Sequence, residues 1–189
     1  MKKNRKNIIL QSLASMLEEK NLSKITTASL AEKSKITEAA LYRHFPSKRS
    51  IYAELFSFCD DTIFAKCNEL KKEKISAQEK VKKIFIFFIF FIEKNKGFAR
   101  LLSREALSSA EQNVSDNVNQ FYERFELVLR QMLKEDEKNL RTQAGISAQL
   151  IVTTLEGNIG RYIRSKFKDS PSTYIENIWT LLSLSIFKN

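Results

Sequence analysis

The chain has 189 residues, of which 43% are hydrophobic and 29% are charged, as in ordinary globular domains. With only 4 Gly and 2 Pro, it holds few helix-breaking residues, so we predict an all-α protein with short connections. The net charge of +10 is concentrated in residues 1–50, where 11 Lys and Arg stand against 4 Glu. A basic head on a nearly neutral body is typical of a nucleic-acid-binding module. Charge alone leaves a solvated lysine-rich surface open as the alternative.

The two cysteines and the longest apolar run exclude several classes of protein. Cys59 and Cys67 lie eight residues apart, and on a helix this spacing separates their Cα atoms by ~12 Å, too far for a disulfide. No zinc-binding pattern is present, so we predict a protein of the reducing cytoplasm. The basic N-terminus lacks the apolar stretch of a signal peptide. The longest apolar run, Ile84 to Ile92, has nine residues, whereas a transmembrane helix needs ~20.

The first fifty residues contain signals for three helices. The segment "NIILQSLASMLEE" has an apolar stripe at helical spacing. Thr26 and Thr27 are suited to begin a short second helix, and Thr37 to begin a third, with Glu38 in its first turn where the helix dipole favours a carboxylate. Pro46 ends the third helix, because the residue before a proline disfavours helical backbone. Two short helices joined by a tight turn predict a helix-turn-helix.

The rest of the chain shows helical patterns without an internal repeat or a linker. We therefore predict a helix-turn-helix domain over residues 1–48, continuous with a helical dimerisation and partner-binding domain over residues 49–189. The helices predicted in the second domain span Arg49 to Glu73, Ala77 to Lys94, Phe98 to Ser108, Ser115 to Lys134, Leu140 to Lys168 and Thr173 to Phe187.

Several segments carry a resemblance to a known family. "ITTASLAEKSKITEAALYRHFPSK" resembles the helix-turn-helix of TetR-family regulators. "NQFYERFELVLRQML" and "EGNIGRYIRSKFKDSP" extend the resemblance over nearly the whole chain and are similar to the nucleoid occlusion branch of that family. The chain departs from the family pattern at Lys35, where the turn usually has Gly, in the shorter connection "KEDEKNLRTQ" and in the Phe-rich fifth helix.

The resemblance implies a homodimer that binds a near-palindromic site on double-stranded DNA. It implies phosphate contacts from Thr26, Thr37, Tyr42, His44 and Lys48, and base-edge contacts from Thr37, Glu38 and Ala39, with Thr27 also in the DNA-binding set. Hydroxyls and lysines near helix N-termini suit phosphate. The alternatives are simple N-capping for the threonines and a core position for Tyr42. The only histidine, His44, has no Cys, Asp or Glu cluster around it, so we expect neither a metal nor a catalytic role.

The family pairs its last two helices across a two-fold axis, so the resemblance also implies a dimer interface. Small residues such as Thr154, Gly157 and Gly160 would let a partner helix approach closely. The alternative is that the large residues of these helices pack within one subunit. The candidate interface residues are Leu150, Leu155, Ile159, Trp179 and Leu182.

The apolar run "IFIFFIFFI" predicts a helix that is mostly core, with one edge exposed as a partner site. In the nucleoid occlusion branch, the fourth and fifth helices bind the C-terminal tail of the division protein FtsZ. The resemblance implies that Phe58, Lys66, Phe87, Lys94 and Asn95 contact this tail. It thereby implies a nucleoid-associated protein that opposes FtsZ ring assembly over the chromosome.

A second hypothesis is a TetR-type transcriptional repressor whose body encloses a small apolar effector. A large closed pocket inside the body would favour the repressor, and a filled core with an open surface groove would favour the division regulator. A purely structural helical protein fits the composition but not the basic head. The sequence has no glycine-rich phosphate loop, metal-ligand spacing or nucleophile motif, so we predict no enzymatic activity, no cofactor and no metal.

Overall fold

The computed structural model describes residues 2–19 and 22–188, and these form nine α-helices with short 3-10 turns before α2, α7, α8 and α9. In that part of the chain no β-strand occurs, and Leu140 and Phe187 form one isolated antiparallel bridge. The fold is all-α, as the composition predicts. The helices are α1 (Lys2–Glu18), α2 (Thr27–Lys33), α3 (Glu38–His44), α4 (Lys48–Lys72), α5 (Ala77–Lys94), α6 (Lys96–Leu102), α7 (Gln112–Lys134), α8 (Ala144–Arg164) and α9 (Ile175–Ile186).

The chain divides into two compact units. The first comprises Met1–Asp60 and Asn95–Val118, and so contains α1 to α3, the first half of α4, α6 and the start of α7. The second comprises Asp61–Lys94 and Asn119–Asn189, with the remaining parts of α4 and α7 and all of α5, α8 and α9. The boundary predicted between residues 48 and 49 stays a prediction.

The first unit depends on a close approach between α1 and α6. A Cβ atom added at Gly97 would lie only 2.7 Å from the carbonyl oxygen of Ala14. Nη1 of the buried Arg100 donates hydrogen bonds to the carbonyl oxygens of Leu17, at 2.8 Å, and of Glu19. Because the last carbonyls of a helix have no partner within it, Arg100 satisfies the C-terminal end of α1 and fixes α6 against it.

The aromatic residues of α5 fill the second unit on the side that faces α7. Phe88 lies 5.3 Å from Phe125 between ring centroids, and Phe125 stacks on Phe121 at 5.7 Å. On the outer side of α5, Phe90 is 45% exposed, and Phe87 and Phe91 are half-buried. The prediction that the apolar run is mostly core with an exposed edge is therefore confirmed.

An ion pair at the edge of this core links α5 to the end of α7. Lys80 is buried, and its Nζ donates to Oε2 of Glu135 at 2.7 Å and to the carbonyl oxygen of Lys71 at 3.3 Å. A buried charge is tolerated when it is paired and hydrogen-bonded. Lys80 is thus a structural residue inside an otherwise apolar helix face.

Two predicted helices are wrong by four or more residues at an end, and the helix predicted from Ser115 begins three residues earlier, at Gln112. The helix predicted over Phe98 to Ser108 ends at Leu102, because Arg104 adopts a left-handed backbone with φ of 61°. The helix predicted over Leu140 to Lys168 begins only at Ala144 and ends at Arg164. Its start is delayed because the Arg141 N–H bonds to the carbonyl of Ile186, and its end precedes two residues with positive φ, at 166 and 167.

No helix in the described ranges combines the length and the apolar character that crossing a membrane requires.

Candidate nucleic-acid interface

Threonine side chains cap the N-termini of both helices of the helix-turn-helix. The Thr26 hydroxyl accepts the backbone N–H of Ser29 at 3.1 Å, and the Ser29 hydroxyl accepts the Thr26 N–H at 2.9 Å, which makes a capping box for α2. The Thr37 hydroxyl accepts the Ala40 N–H at 3.2 Å and caps α3. Between them Lys35 adopts φ of 55°. The predicted capping roles of Thr26 and Thr37 are confirmed.

Three of the predicted DNA-contact residues form a hydrogen-bonded row across α2 and α3. The Tyr42 hydroxyl donates to Oγ1 of Thr27 at 3.5 Å, and Thr27 donates to Oε2 of Glu38 at 3.3 Å. Tyr42 is 48% exposed and is therefore not a core residue. The motif instead buries Leu30 and Leu41. Among the other residues predicted to contact DNA, Thr26, Thr37 and Ala39 are exposed. His44 and Lys48 are half-buried.

Lys48 begins α4 beside a carboxylate, Glu111, for which the sequence predicted no role. Its Nζ lies 3.8 Å from Oε1 of Glu111 and 5.2 Å from the centre of the Tyr52 ring. Burial and the Glu111 charge raise the pKa of the Tyr52 hydroxyl, so the ring stays neutral. The Ser-x-x-Glu spacing from Ser108 to Glu111 is a signal for a helix start. It does not reveal the contact with Lys48, which is distant in sequence.

The residues predicted to contact a partner tail fall into two local surfaces. In the first unit, Phe58 is 61% exposed and lines, together with Asn95, a pocket of about 280 Å³ whose other walls come from α1, α4 and α6. In the second unit, Phe87 stacks on Phe91 with ring centroids 5.9 Å apart. Lys66 forms an ion pair with Glu69 at 2.7 Å, and Lys94 is exposed at the end of α5.

The predicted dimer residues on α8 and α9 are mostly buried within the second unit. Leu155, Ile159, Trp179 and Leu182 are between 1% and 6% exposed, and Trp179 packs 5.8 Å from Phe85 between ring centroids. This is the packing within one subunit that the sequence left as its alternative. Leu150 is 41% exposed. Other apolar side chains that the same two helices leave exposed are Ile146, Leu181 and Leu184.

The cysteines are not set up for chemistry. Burial, with a smaller contribution from Asp60, raises the pKa of Cys59 to about 12. Burial likewise raises the pKa of Cys67 to about 12, against a small opposing effect of Lys71. Both thiols are therefore protonated at neutral pH and are poor nucleophiles. Within the described residues, no group of three or more His, Cys, Asp and Glu could hold a metal ion.

The capped α2–turn–α3 pair and its exposed polar row define a helix-turn-helix regulator. Residues 9–55 match the family model of bacterial regulatory proteins of the tetR family, and residues 76–186 match the SlmA-like model of the tetracyclin repressor-like C-terminal domain. The chain is 37% identical to the nucleoid occlusion factor SlmA of Vibrio vulnificus, over 98% of this chain and 97% of that protein. It is 34% identical to the SlmA of Marinomonas, over 100% of this chain and 98% of that protein.

The chain belongs to the SlmA family of nucleoid occlusion factors, within the TetR family of bacterial regulators. The resemblance seen in the sequence is confirmed. The relatives are named as nucleoid occlusion factors, and the N-terminal family model describes regulatory proteins, in agreement with the prediction of no enzymatic activity.

Solved structures of transcriptional regulators share the fold. FadR from Bacillus subtilis, in complex with stearoyl-CoA, has a TM-score of 0.78 at 15% identity, over 95% of this chain and 98% of that chain. The MbdR regulator from Azoarcus sp. CIB has a TM-score of 0.79 at 15% identity, over 94% of this chain and 96% of that chain. At these identities the likeness shows the fold alone.

Proposed function

We propose that this chain is a nucleoid-associated, DNA-binding homodimer that restrains FtsZ ring assembly over the chromosome. The observation that carries DNA binding is the exposed polar row of α2 and α3, opposite the buried Leu30 and Leu41. The names of the relatives support nucleoid occlusion as the process. The FtsZ tail as the partner rests on the sequence resemblance.

DNA recognition divides between phosphate contacts and base contacts. The hydroxyls of Thr26, Thr37 and Tyr42, the imidazole of His44 and the Lys48 ammonium group suit the backbone, which positions the protein without reading sequence. Ala39 is small and exposed at the start of α3, so it allows close approach to base edges in the major groove. Glu38 beside it can accept a hydrogen bond from a base amino group.

Dimerisation would use the outer faces of α8 and α9. Ile146 and Leu150 on α8 and Leu181 and Leu184 on α9 are 41% to 67% exposed. A Cβ atom added at Gly157 would meet nothing within 4 Å, so a partner helix could approach there. Two copies of this helix pair, related by a two-fold axis, would bury these apolar side chains against each other. Of the residues first predicted, Leu150 is the one that fits this interface.

The FtsZ tail would bind through aromatic contacts with a lysine contribution. Phe58 exposes 61% of a large apolar surface, and Phe87 presents a ring stacked on Phe91. Because Glu69 already pairs with Lys66, Lys94 is the stronger candidate to attract an acidic tail. An exposed ion pair is worth at most ~1 kcal/mol, so the apolar contacts must supply most of the affinity.

The experiment measures binding of a labelled FtsZ tail peptide to the whole 189-residue chain, with and without a DNA duplex. We expect Phe58→Ala to weaken tail binding about tenfold, because covering the exposed part of this side chain contributes ~1–2 kcal/mol. Lys94→Glu should weaken it only about fivefold. Phe90→Ala is the matched control, since Phe90 is an exposed phenylalanine outside the predicted set. DNA affinity should be unchanged in all three variants.

Two results would overturn the proposal. Tail binding that survives both Phe58→Ala and Lys94→Glu would show that the tail binds elsewhere. An unaltered protein that ignores the tail, with and without DNA, would favour the repressor hypothesis instead. The packed rings of Phe88, Phe121 and Phe125 fill the interior beside α5, which argues against an effector cavity at that place.

A further inference from the structure

Two neighbours fix the ammonium group of Lys48, the first residue of α4. Its Nζ lies 3.8 Å from Oε1 of Glu111 and 5.2 Å from the centre of the Tyr52 ring. The face of an aromatic ring attracts a cation, so the carboxylate and the ring draw the same group to one place. A third of the Lys48 side chain, 33%, remains exposed. The ammonium group is therefore held in position while part of the side chain stays open to solvent.

Glu111 reaches this place from the 3-10 turn that precedes α7, outside the helix-turn-helix. It is only 2% exposed. Its Oε2 accepts the backbone N–H of Ser108 at 3.0 Å and also the Ser108 hydroxyl. Both bonds fall on Oε2, and Oε1 is the oxygen nearest Lys48. The carboxylate is thus fixed by its own segment and does not depend on Lys48 for its orientation.

We propose that Glu111 is a positioning residue for DNA binding, which holds the Lys48 ammonium group where it contacts a DNA phosphate. This inference rests on the proposed function, in which Lys48 binds the DNA backbone. A free lysine side chain has many rotamers, and ordering it on DNA costs conformational entropy. Glu111 and Tyr52 restrict those rotamers before DNA binds. Less entropy is then lost in the complex, and affinity rises.

The distance between Lys48 and Glu111 favours positioning over sequestration. In the exposed pair of Lys66 and Glu69 the nitrogen and oxygen are 2.7 Å apart and hydrogen-bonded. The 3.8 Å between Lys48 and Glu111 is too long for a hydrogen bond. Glu111 therefore attracts the ammonium group without occupying its N–H donors. Those donors can bond to a phosphate.

The test measures DNA affinity of the full chain by fluorescence anisotropy over a range of salt concentrations. The probe is a labelled 30-base-pair duplex of arbitrary sequence, since phosphate contacts do not depend on sequence. The variants are Lys48→Ala, Glu111→Gln and the two combined. Asp116→Asn is the matched control, because it removes an exposed carboxylate near the start of α7 that accepts a hydrogen bond from Gln112.

Positioning predicts a specific pattern. Lys48→Ala should weaken binding and reduce the slope of log affinity against log salt by ~0.9 for each lost phosphate contact. Glu111→Gln should weaken binding about three- to tenfold, although it makes the protein more positive. In the Lys48→Ala background, Glu111→Gln should have no further effect. Asp116→Asn should leave binding unchanged or slightly tighter.

Three outcomes would overturn the inference. Tighter binding by Glu111→Gln would mean that the carboxylate sequesters Lys48 or only repels DNA. An equal loss with and without Lys48 would mean a structural role. If the Glu111→Gln variant does not fold, Glu111→Asp takes its place, because aspartate keeps the negative charge but places it one methylene group farther from Lys48. Unchanged DNA binding by the Glu111→Asp variant would contradict positioning. Failure of the proposed function is distinguishable, because the unaltered protein would then show no salt-dependent DNA binding.

Discussion

Lys35 holds the α2–α3 turn in a left-handed backbone conformation, with φ of 55°. The turn is closed by hydrogen bonds from the Lys35 N–H to the Glu32 carbonyl at 2.9 Å and from the Ile36 N–H to the Ala31 carbonyl at 3.0 Å. A residue with a Cβ atom pays ~1–2 kcal/mol for this conformation. The sequence already indicated the cost, because the resembling regulators usually have Gly here.

We expect Lys35→Gly to stabilise the protein by ~0.5–1 kcal/mol. Relief of the strain exceeds the extra backbone entropy that glycine loses on folding, ~0.5–1 kcal/mol. Urea unfolding gives the difference. Glu32→Gly is the control, since Glu32 has a helical backbone in α2 and the same replacement should destabilise there. A loss of stability in Lys35→Gly would mean that the lysine side chain contributes a contact that outweighs the strain.

Glu38 is an acidic side chain on a surface that we propose to face phosphates. Such a carboxylate gains from DNA contact mainly by accepting a hydrogen bond from a base, and cytosine N4 is its usual donor. Thr27 donates to Glu38 at 3.3 Å and so helps to orient it. Selection from a random-sequence DNA pool should therefore show a cytosine preference that Glu38→Gln shifts toward adenine, with about tenfold loss of discrimination.

The control for this prediction is Glu32→Gln, which removes an exposed carboxylate from α2. Its selected site should equal that of the unaltered protein. If Glu38→Gln selects the same sequence as the unaltered protein, then Glu38 serves only the dipole of α3 and reads no base.

At the scale of elements, the packing of α6 against α1 depends on a glycine, Gly97. A Cβ atom at Gly97 would lie 2.7 Å from the Ala14 carbonyl oxygen and 3.0 Å from the Leu17 Cβ atom, and neither neighbour is a flexible chain end. We expect Gly97→Ala to destabilise the protein by ~1–3 kcal/mol through overpacking. Thermal unfolding measures the change. Gly145→Ala is the control, because its nearest neighbour is Arg130 Cδ at an ordinary 3.7 Å.

The same pair of variants tests whether the close contact between α1 and α6 contributes to the stability of the protein. Gly145→Ala should be neutral or slightly stabilising, since alanine favours helix over glycine. A Gly97→Ala protein as stable as the Gly145→Ala protein would show that α6 can move away from α1 at no cost.

Elements with strong local signals could be predicted from the sequence. The bounds of α5 agree with the prediction, and the caps at Thr26 and Thr37 are where the threonines indicated. The ends of α6 and α8 could not be predicted, because they depend on left-handed residues and on a bond between Arg141 and Ile186 that joins distant segments.

The candidate sites follow the same division. The polar residues of the helix-turn-helix could be predicted as DNA-contact candidates, because the helix caps and the turn that define this motif depend on residues close together in sequence. The contact of Glu111 with Lys48 could not, since 63 residues separate them. On α8 and α9, apolar residues occur on both faces. Periodicity therefore could not decide which ones, such as Leu155 or Leu181, face the core and which face outward.

At the scale of the whole molecule, the basic head and the exposed apolar face of α8 and α9 both contribute to DNA affinity in the proposed function. A near-palindromic site needs two heads related by a two-fold axis. A dimer tethers both heads to one duplex, so binding of the second head becomes effectively intramolecular and total affinity rises far above that of one head. DNA affinity should consequently depend on residues that lie in neither head.

The double variant Leu150→Lys with Leu181→Lys tests this dependence. In a two-fold interface each substitution occurs twice. Each leucine is partly buried already, so its removal costs ~1–2 kcal/mol of burial, and we expect a monomer at micromolar concentration by analytical ultracentrifugation. DNA affinity should fall at least a hundredfold as the tethering is lost.

Leu127→Lys is the control, because Leu127 on α7 is as exposed as Leu150, at 41%, but lies outside the proposed face. If the double variant remained dimeric, the interface would have to be sought elsewhere on the chain. If it became monomeric and still bound DNA as tightly, a single head would suffice for binding.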